Sequence, residues 1–141
     1  MVTILLTGHG NFATGLLSAV RLICGTHRQV VAVDFVQEDS IDDLRTNILS
    51  VINEEDNDIL ILTDIAGGSP YNTAVLLKNE FIGKNIEVVS GANIPMLISA
   101  IMERGEQSVP EVAENIVEVA LHSIKRFQLK KIVQQQVDDG I

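Results

Sequence analysis

The sequence predicts an α/β domain built on a doubly wound, mainly parallel four-stranded sheet of order 2-1-3-4 flanked by helices. Three observations carry that prediction. Runs at Ile4–Leu6, Val30–Phe35, Ile59–Leu62 and Ile86–Val89 are apolar at nearly every position, the pattern of strands covered on both faces. The segments between them carry apolar residues at three- or four-residue spacing, as amphipathic helices do. Four such alternations in one chain of 141 residues ask for right-handed crossovers within a single domain, 1–141.

Each helix has its own signals. Phe12, Leu16, Val20 and Ile23, with Leu17 beside them, form the apolar face of the first, which Gly25 stops. Cys24 falls in that helix among apolar neighbours and is expected to fill core; as the single cysteine it excludes an internal disulfide. Ser40 with Asp43 reads as a capping box, and Ile41, Leu44, Ile48, Val51 and Ile52 as the stripe of a second helix that Asp56-Asn57 ends. Ser69 suits an N-cap and Pro70 a first helical position, opening a third helix to about Asn79. A fourth starts near Pro95 and ends near Gly105, and a fifth follows Ser108-Val109-Pro110 with Val112, Ile116, Val119 and Ala120. From about Ile124 to Ile132, Phe127 and Leu129 alternate with polar residues, which fits a fifth, edge strand as well as a continued helix. The tail from about residue 134 is expected to fray.

Composition narrows the classes of function. Hydrophobic residues make up 46% and charged residues 21% of a chain with formal net charge −9. Nucleic-acid binding draws on Lys and Arg contacts to phosphate, so a DNA or RNA partner is not expected. No apolar run approaches the roughly eighteen residues of a membrane span, and no secretory leader precedes the first strand. A cytoplasmic protein without membrane insertion is the expectation. His9, His27 and His122 lie far apart in the chain and show no ligand spacing, so no metal is expected. His27 should lie at the end of the sheet opposite His9, and His122 should be a partly exposed structural residue. Glu54-Glu55 reads as a solvated helix end. Neither a Walker A pattern nor a GxGxxG after the first strand is present.

The candidate chemistry begins at Gly8-His9-Gly10, directly after the first strand. In open α/β sheets ligands sit beyond the carboxyl ends of the strands, where the winding reverses. For order 2-1-3-4 that crevice lies between strands 1 and 3, so His9 and Asp64, which follows strand 3, should meet across it. An imidazole with an ordinary pKa of about 6.5 is mostly neutral in the cell and offers one nitrogen lone pair. A carboxylate on the other ring nitrogen would fix the tautomer and balance charge developing on the ring. Asp64 is the preferred carboxylate; Asp34 and Glu38, after strand 2, are the alternatives. Gly67-Gly68-Ser69 ahead of a helix offers unpaired N–H groups and a hydroxyl to phosphoryl oxygens, and Gly10, in the loop that opens the first helix, offers more. The competing reading is a histidine in a tight turn with no chemistry.

Three segments in this order and spacing, Ile4 through Gly15 with His9, Asp64 through Asn72, and Gly91-Ala92-Asn93-Ile94-Pro95-Met96-Leu97, resemble the IIA component of the mannose family of the bacterial sugar phosphotransferase system. The resemblance spans roughly residues 2 to 130. It implies a phosphocarrier that takes a phosphoryl group from the phosphohistidine protein HPr and passes it to a histidine of a IIB domain. The family's phosphorylated histidine matches His9, with phosphate on Nε2; its aspartate matches Asp64 and its phosphate-side serine Ser69. The resemblance further implies a homodimer exchanging an edge strand, for which 124–132 is the matching segment. No organic cofactor is implied, and a free-standing IIA without a fused IIB is expected. Ala66 departs from the pattern, since some relatives carry an aromatic residue there. A phosphotransfer subunit of dihydroxyacetone kinase, or a non-catalytic module that senses phosphorylation, is the alternative.

Overall fold

The computed structural model describes residues 1–130. The chain alternates β1 (Thr3–His9), α1 (Phe12–Cys24), β2 (Val30–Phe35), α2 (Ile41–Glu54), β3 (Ile59–Thr63), α3 (Ser69–Glu80), β4 (Ile86–Val89), α4 (Ile94–Glu103) and α5 (Val109–His122). The four strands form one parallel sheet of order β2-β1-β3-β4. The chain moves outward from β1 to β2, then crosses back to β3. The winding therefore reverses between β1 and β3, as the order read from the sequence requires.

Side chains of successive strand residues point to opposite faces, and the core accordingly splits into two layers. Ile4, Leu6, Leu60 and Leu62 pack against α1, α4 and α5; Leu5, Ile59 and Ile61 pack against α2 and α3. All seven are fully buried, each worth about 1.5–3 kcal/mol relative to an exposed side chain. This is why the strands read as continuous apolar runs.

The helix ends follow local chemistry. Ser40 and Asp43 close a reciprocal capping box on α2, and Ser108 caps α5 through the Glu111 N–H. Gly25 ends α1 at φ 84°, its N–H bonded to the Arg21 carbonyl. At the opposite edge from the site, the buried Arg104 donates to the carbonyls of Val2, Arg28 and Gln29. It thereby ties the end of α4 to the starts of β1 and β2.

Several expectations change. Gly68, not Ser69, is the N-cap of α3, with Ser69 the first helical residue; the proline ring at Pro70 fits the first turn in either register. The buried face of α1 is Ala13, Leu17 and Val20, while Ile23 is 61% exposed and Cys24 is exposed rather than core. The last turn of α1 keeps the apolar periodicity, but its side chains lie outside the buried face. Ile41, 58% exposed, likewise stands outside the α2 stripe of Leu44, Ile48 and Ile52. Residues 124–130, the described part of the expected fifth strand, form no strand and leave Phe127 and Leu129 exposed. A strand exchanged between subunits bonds to the partner's sheet, so a single chain is not expected to show it. Residues 131 and 132, and the tail beyond, lie outside the described residues.

Candidate active site

The last residue of β1, His9, and the first residue after β3, Asp64, meet across the crevice at the reversal point. One carboxylate oxygen of Asp64, Oδ2, accepts from the His9 main-chain N–H at 2.8 Å and lies 2.7 Å from Nδ1 of the same residue's ring. A carboxylate can only accept, so Nδ1 carries the hydrogen and Nε2 the lone pair. The two side chains differ in access: that of Asp64 is 14% exposed and that of His9 50%. The carboxylate is shielded and the ring is within reach of another molecule.

The charge of Asp64 is set by opposing causes. Its partial burial would raise the carboxyl pKa, but the hydrogen bonds from the His9 main chain, the His9 ring and the Ile65 N–H outweigh this and hold it below the usual carboxylate value. Asp64 is thus a fixed negative charge beside the imidazole near neutrality.

Its main chain is braced from the next strand. The Gly91 N–H donates to the Asp64 carbonyl at 2.8 Å and the Ala92 N–H to the Thr63 carbonyl at 2.9 Å. Asn93 then caps α4 through the Met96 N–H and donates to the Ser123 hydroxyl. The third segment singled out in the sequence therefore supports the end of β3 without touching His9's partner side chain.

Opposite the imidazole, the loop Asp64–Gly68 turns into α3. Gly67 has φ 84°, a conformation that favours glycine, and its carbonyl accepts from the Asn72 side chain at 3.0 Å. Gly68 is at φ −76°, open to any residue, and is needed small for another reason. A Cβ there would lie 2.7 Å from His9 Cε1 and 3.1 Å from Ile65 Cγ2. The first helical bond of α3 runs from the Asn72 N–H to the Gly68 carbonyl. The main-chain N–H groups of Ser69 and Tyr71 therefore have no partner within the helix, and Pro70 has none to offer. They form the positive end of α3 beside the ring.

Three of the sequence candidates take other roles, the Gly68 N–H among them, since it donates to the Ile65 carbonyl at 3.3 Å. The Gly10 N–H, at φ 57°, donates to the Phe35 carbonyl at 2.7 Å and so is committed rather than open to a phosphoryl oxygen. Asp34 accepts from both the Thr14 N–H, at 3.0 Å, and the Thr14 hydroxyl, at 2.6 Å, which ties α1 to the end of β2. It does not bond the imidazole, and Glu38 is exposed in the turn after β2. Sequence reasoning missed Phe35, whose ring centroid lies 6.0 Å from that of His9 with the planes tilted by 59°. Its signal was its place, the last residue of strand 2. His27 bonds the Cys24 carbonyl in the loop before β2, at the opposite end of the sheet, and His122 bonds the Glu118 carbonyl on the surface of α5. Among the described residues no group of three or more His, Cys, Asp or Glu is placed to hold a metal ion, and no helix is long and apolar enough to cross a membrane.

An imidazole with a free Nε2, a buried-side carboxylate on Nδ1 and helix N–H groups alongside can accept and hold a phosphoryl group. Comparison with known proteins agrees with that chemistry. Residues 3–117 match the family EIIA-man, described as "PTS system fructose IIA component". The fructose-specific EIIA component of Bacillus subtilis is 25% identical over 127 residues, covering 89% of this chain and 86% of the relative. The sorbose-specific EIIA component of Lacticaseibacillus casei is 29% identical, covering 96% of this chain and 98% of the relative. The crystal structure of phosphotransferase system component EIIA from Streptococcus agalactiae superposes with a TM-score of 0.86 at 33% identity, over 90% of this chain and 98% of that one. With the family matched over most of its length, the chain belongs to EIIA-man: it is a IIA component of the sugar phosphotransferase system, a phosphotransferase acting through phosphohistidine.

Proposed function

We propose that His9 is the residue phosphorylated, on Nε2, by phospho-HPr, and that it passes the group to a histidine of a IIB component. The observation that carries this reading is the 2.7 Å contact between Asp64 and Nδ1, which leaves Nε2 with the lone pair. In the forward step the Nε2 lone pair attacks phosphorus; the new N–P bond forms as the donor's N–P bond breaks, and the donor imidazole leaves with the electron pair. The His9 ring then carries Nδ1–H and a developing positive charge, which Asp64 balances at short range. The Ser69 and Tyr71 N–H groups and the Ser69 hydroxyl meet the phosphoryl oxygens, in the manner of anion sites at helix N-termini. Transfer to IIB is the same step in reverse, with His9 as leaving group.

The match to fructose IIA components favours this reading over the dihydroxyacetone kinase subunit, and the paired His9 and Asp64 favour it over a module that only senses phosphorylation. Work alongside HPr implies a cytoplasmic site of action. A homodimer, with 124–132 of one subunit seated on the other, belongs to the same proposal; the exposed Phe127 and Leu129 support it. The test is incubation with phosphoenolpyruvate, the system's first enzyme and HPr. One acid-labile phosphoryl group per chain is expected, absent from His9→Ala; labelling of His9→Ala at the wild-type level would overturn the assignment.

A further inference from the structure

A hydrogen bond at Nδ1 restrains the imidazole but, within its angular tolerance, still lets the ring plane rock. Asp64 alone therefore cannot set the plane of the His9 imidazole, and in-line attack on phosphorus requires the Nε2 lone pair to point along one line. We propose that Phe35 is a positioning residue for phosphoryl transfer, fixing the plane of the His9 ring from the side of β2. The inference rests on the reading of His9 as the phosphorylated residue.

Three observations carry it. Phe35 is the direct lateral neighbour of His9 in the parallel pairing of β1 and β2, so the two side chains stand on the same face of the sheet. Their rings meet at 6.0 Å and 59°, the separation and tilt of a favourable aromatic pair. The Phe35 main chain is itself held, because its carbonyl accepts the Gly10 N–H and the preceding Asp34 carboxylate is bonded twice by Thr14. The loop carrying His9 and the strand carrying Phe35 are thus tied together on both sides of the ring contact. Gly68 stands beside Cε1, where a Cβ would come within 2.7 Å, so the imidazole has Asp64 at Nδ1, Gly68 beside Cε1 and the tilted Phe35 ring as its lateral neighbour. The side chain remains 50% exposed, and Nε2 makes no hydrogen bond within the described residues.

Phe35 also packs against the α2 and α3 core layer, so Phe35→Leu, which keeps an apolar side chain of similar reach, is the informative variant and Phe35→Tyr its control. Rates of transfer from phospho-HPr are measured together with 15N spectra of the His9 ring. Phe35→Leu is expected to lower kcat roughly 3- to 10-fold, the value of an aromatic pair, with KM within about twofold of wild type. Its 15N resonances should stay those of the Nδ1–H tautomer but broaden as the ring pivots, while Phe35→Tyr restores both kcat and the wild-type line widths. Wild-type kcat and line widths in Phe35→Leu would overturn the proposal. So would equal losses in both variants that track a fall in melting temperature, since that marks a packing role alone. Failure of the wild-type chain to take phosphate on His9 would instead overturn the reading of the site itself, and the two failures are told apart by the His9→Ala comparison above.

Discussion

One oxygen of Asp64 serves His9 twice, accepting from its main-chain N–H at 2.8 Å and from its ring Nδ1 at 2.7 Å. The residue that orients the imidazole also fixes the backbone from which it projects. The choice of tautomer and the charge balance are consequently properties of a single side chain.

Replacing Asp64 by Asn removes the charge and offers an amide N–H where the ring needs an acceptor. The ring then loses its preference for the tautomer with Nε2 free. Transfer from phospho-HPr should fall on the order of 10²- to 10⁴-fold, with the circular dichroism spectrum unchanged. An unaltered rate would remove Asp64 from the mechanism.

The same carboxyl predicts a dependence of stability on pH. Its pKa in the folded chain is depressed, against about 3.9 for an unperturbed aspartate. A depressed carboxyl stabilises the native state above its unfolded pKa and ceases to do so as pH falls through the folded value. The stability advantage of wild type over Asp64→Asn, from urea unfolding, should therefore be full above the unfolded aspartate range and be lost as pH falls through the depressed folded value. A constant gap across that range would show that the hydrogen bonds from His9 and Ile65 do not act on the carboxylate.

Gly68→Ala tests whether the close approach of α3 to the ring matters. At φ −76° alanine costs the backbone nothing, yet its Cβ would stand 2.7 Å from His9 Cε1. The exposed ring can move away, so the fold should lose less than about 1 kcal/mol while transfer drops roughly 10- to 100-fold, the cost of a displacement near 1 Å. Stopped-flow transfer assays and thermal melts on the same samples separate the two effects.

Arg104→Met should do the opposite. Three carbonyls, of Val2, Arg28 and Gln29, share that one buried guanidinium, and methionine leaves all three without it. A loss of about 2–4 kcal/mol in unfolding free energy is expected, with transfer per folded molecule unchanged because Arg104 lies at the far end of the sheet. Arg104→Lys should recover only part of the loss, since an ammonium cannot span the same fork.

How far the sequence carried the reading depends on whether a feature is local. The four apolar runs and the capping pairs at Ser40 and Ser108 are local, and they settle the elements and, with the handedness of crossovers, their order. That order alone brings His9 to Asp64, 55 residues apart in the chain. What failed needed knowledge of neighbours. Ile23 and Cys24 keep helical periodicity yet are exposed, because no described element covers them. The Gly10 N–H looked open because nothing in the sequence shows the loop folding back onto Phe35. Asp34 read as a candidate partner for His9, but the adjacent Thr14 takes both its oxygens.

The most direct test is the chemical position of the phosphate. Two-dimensional 1H–15N and 31P spectra of the chain phosphorylated by HPr should show a single phosphohistidine, at His9, with phosphorus bonded to Nε2 and a proton on Nδ1. Phosphate on Nδ1, or on any residue other than His9, would contradict an account in which Asp64 occupies one ring nitrogen so that the other can react.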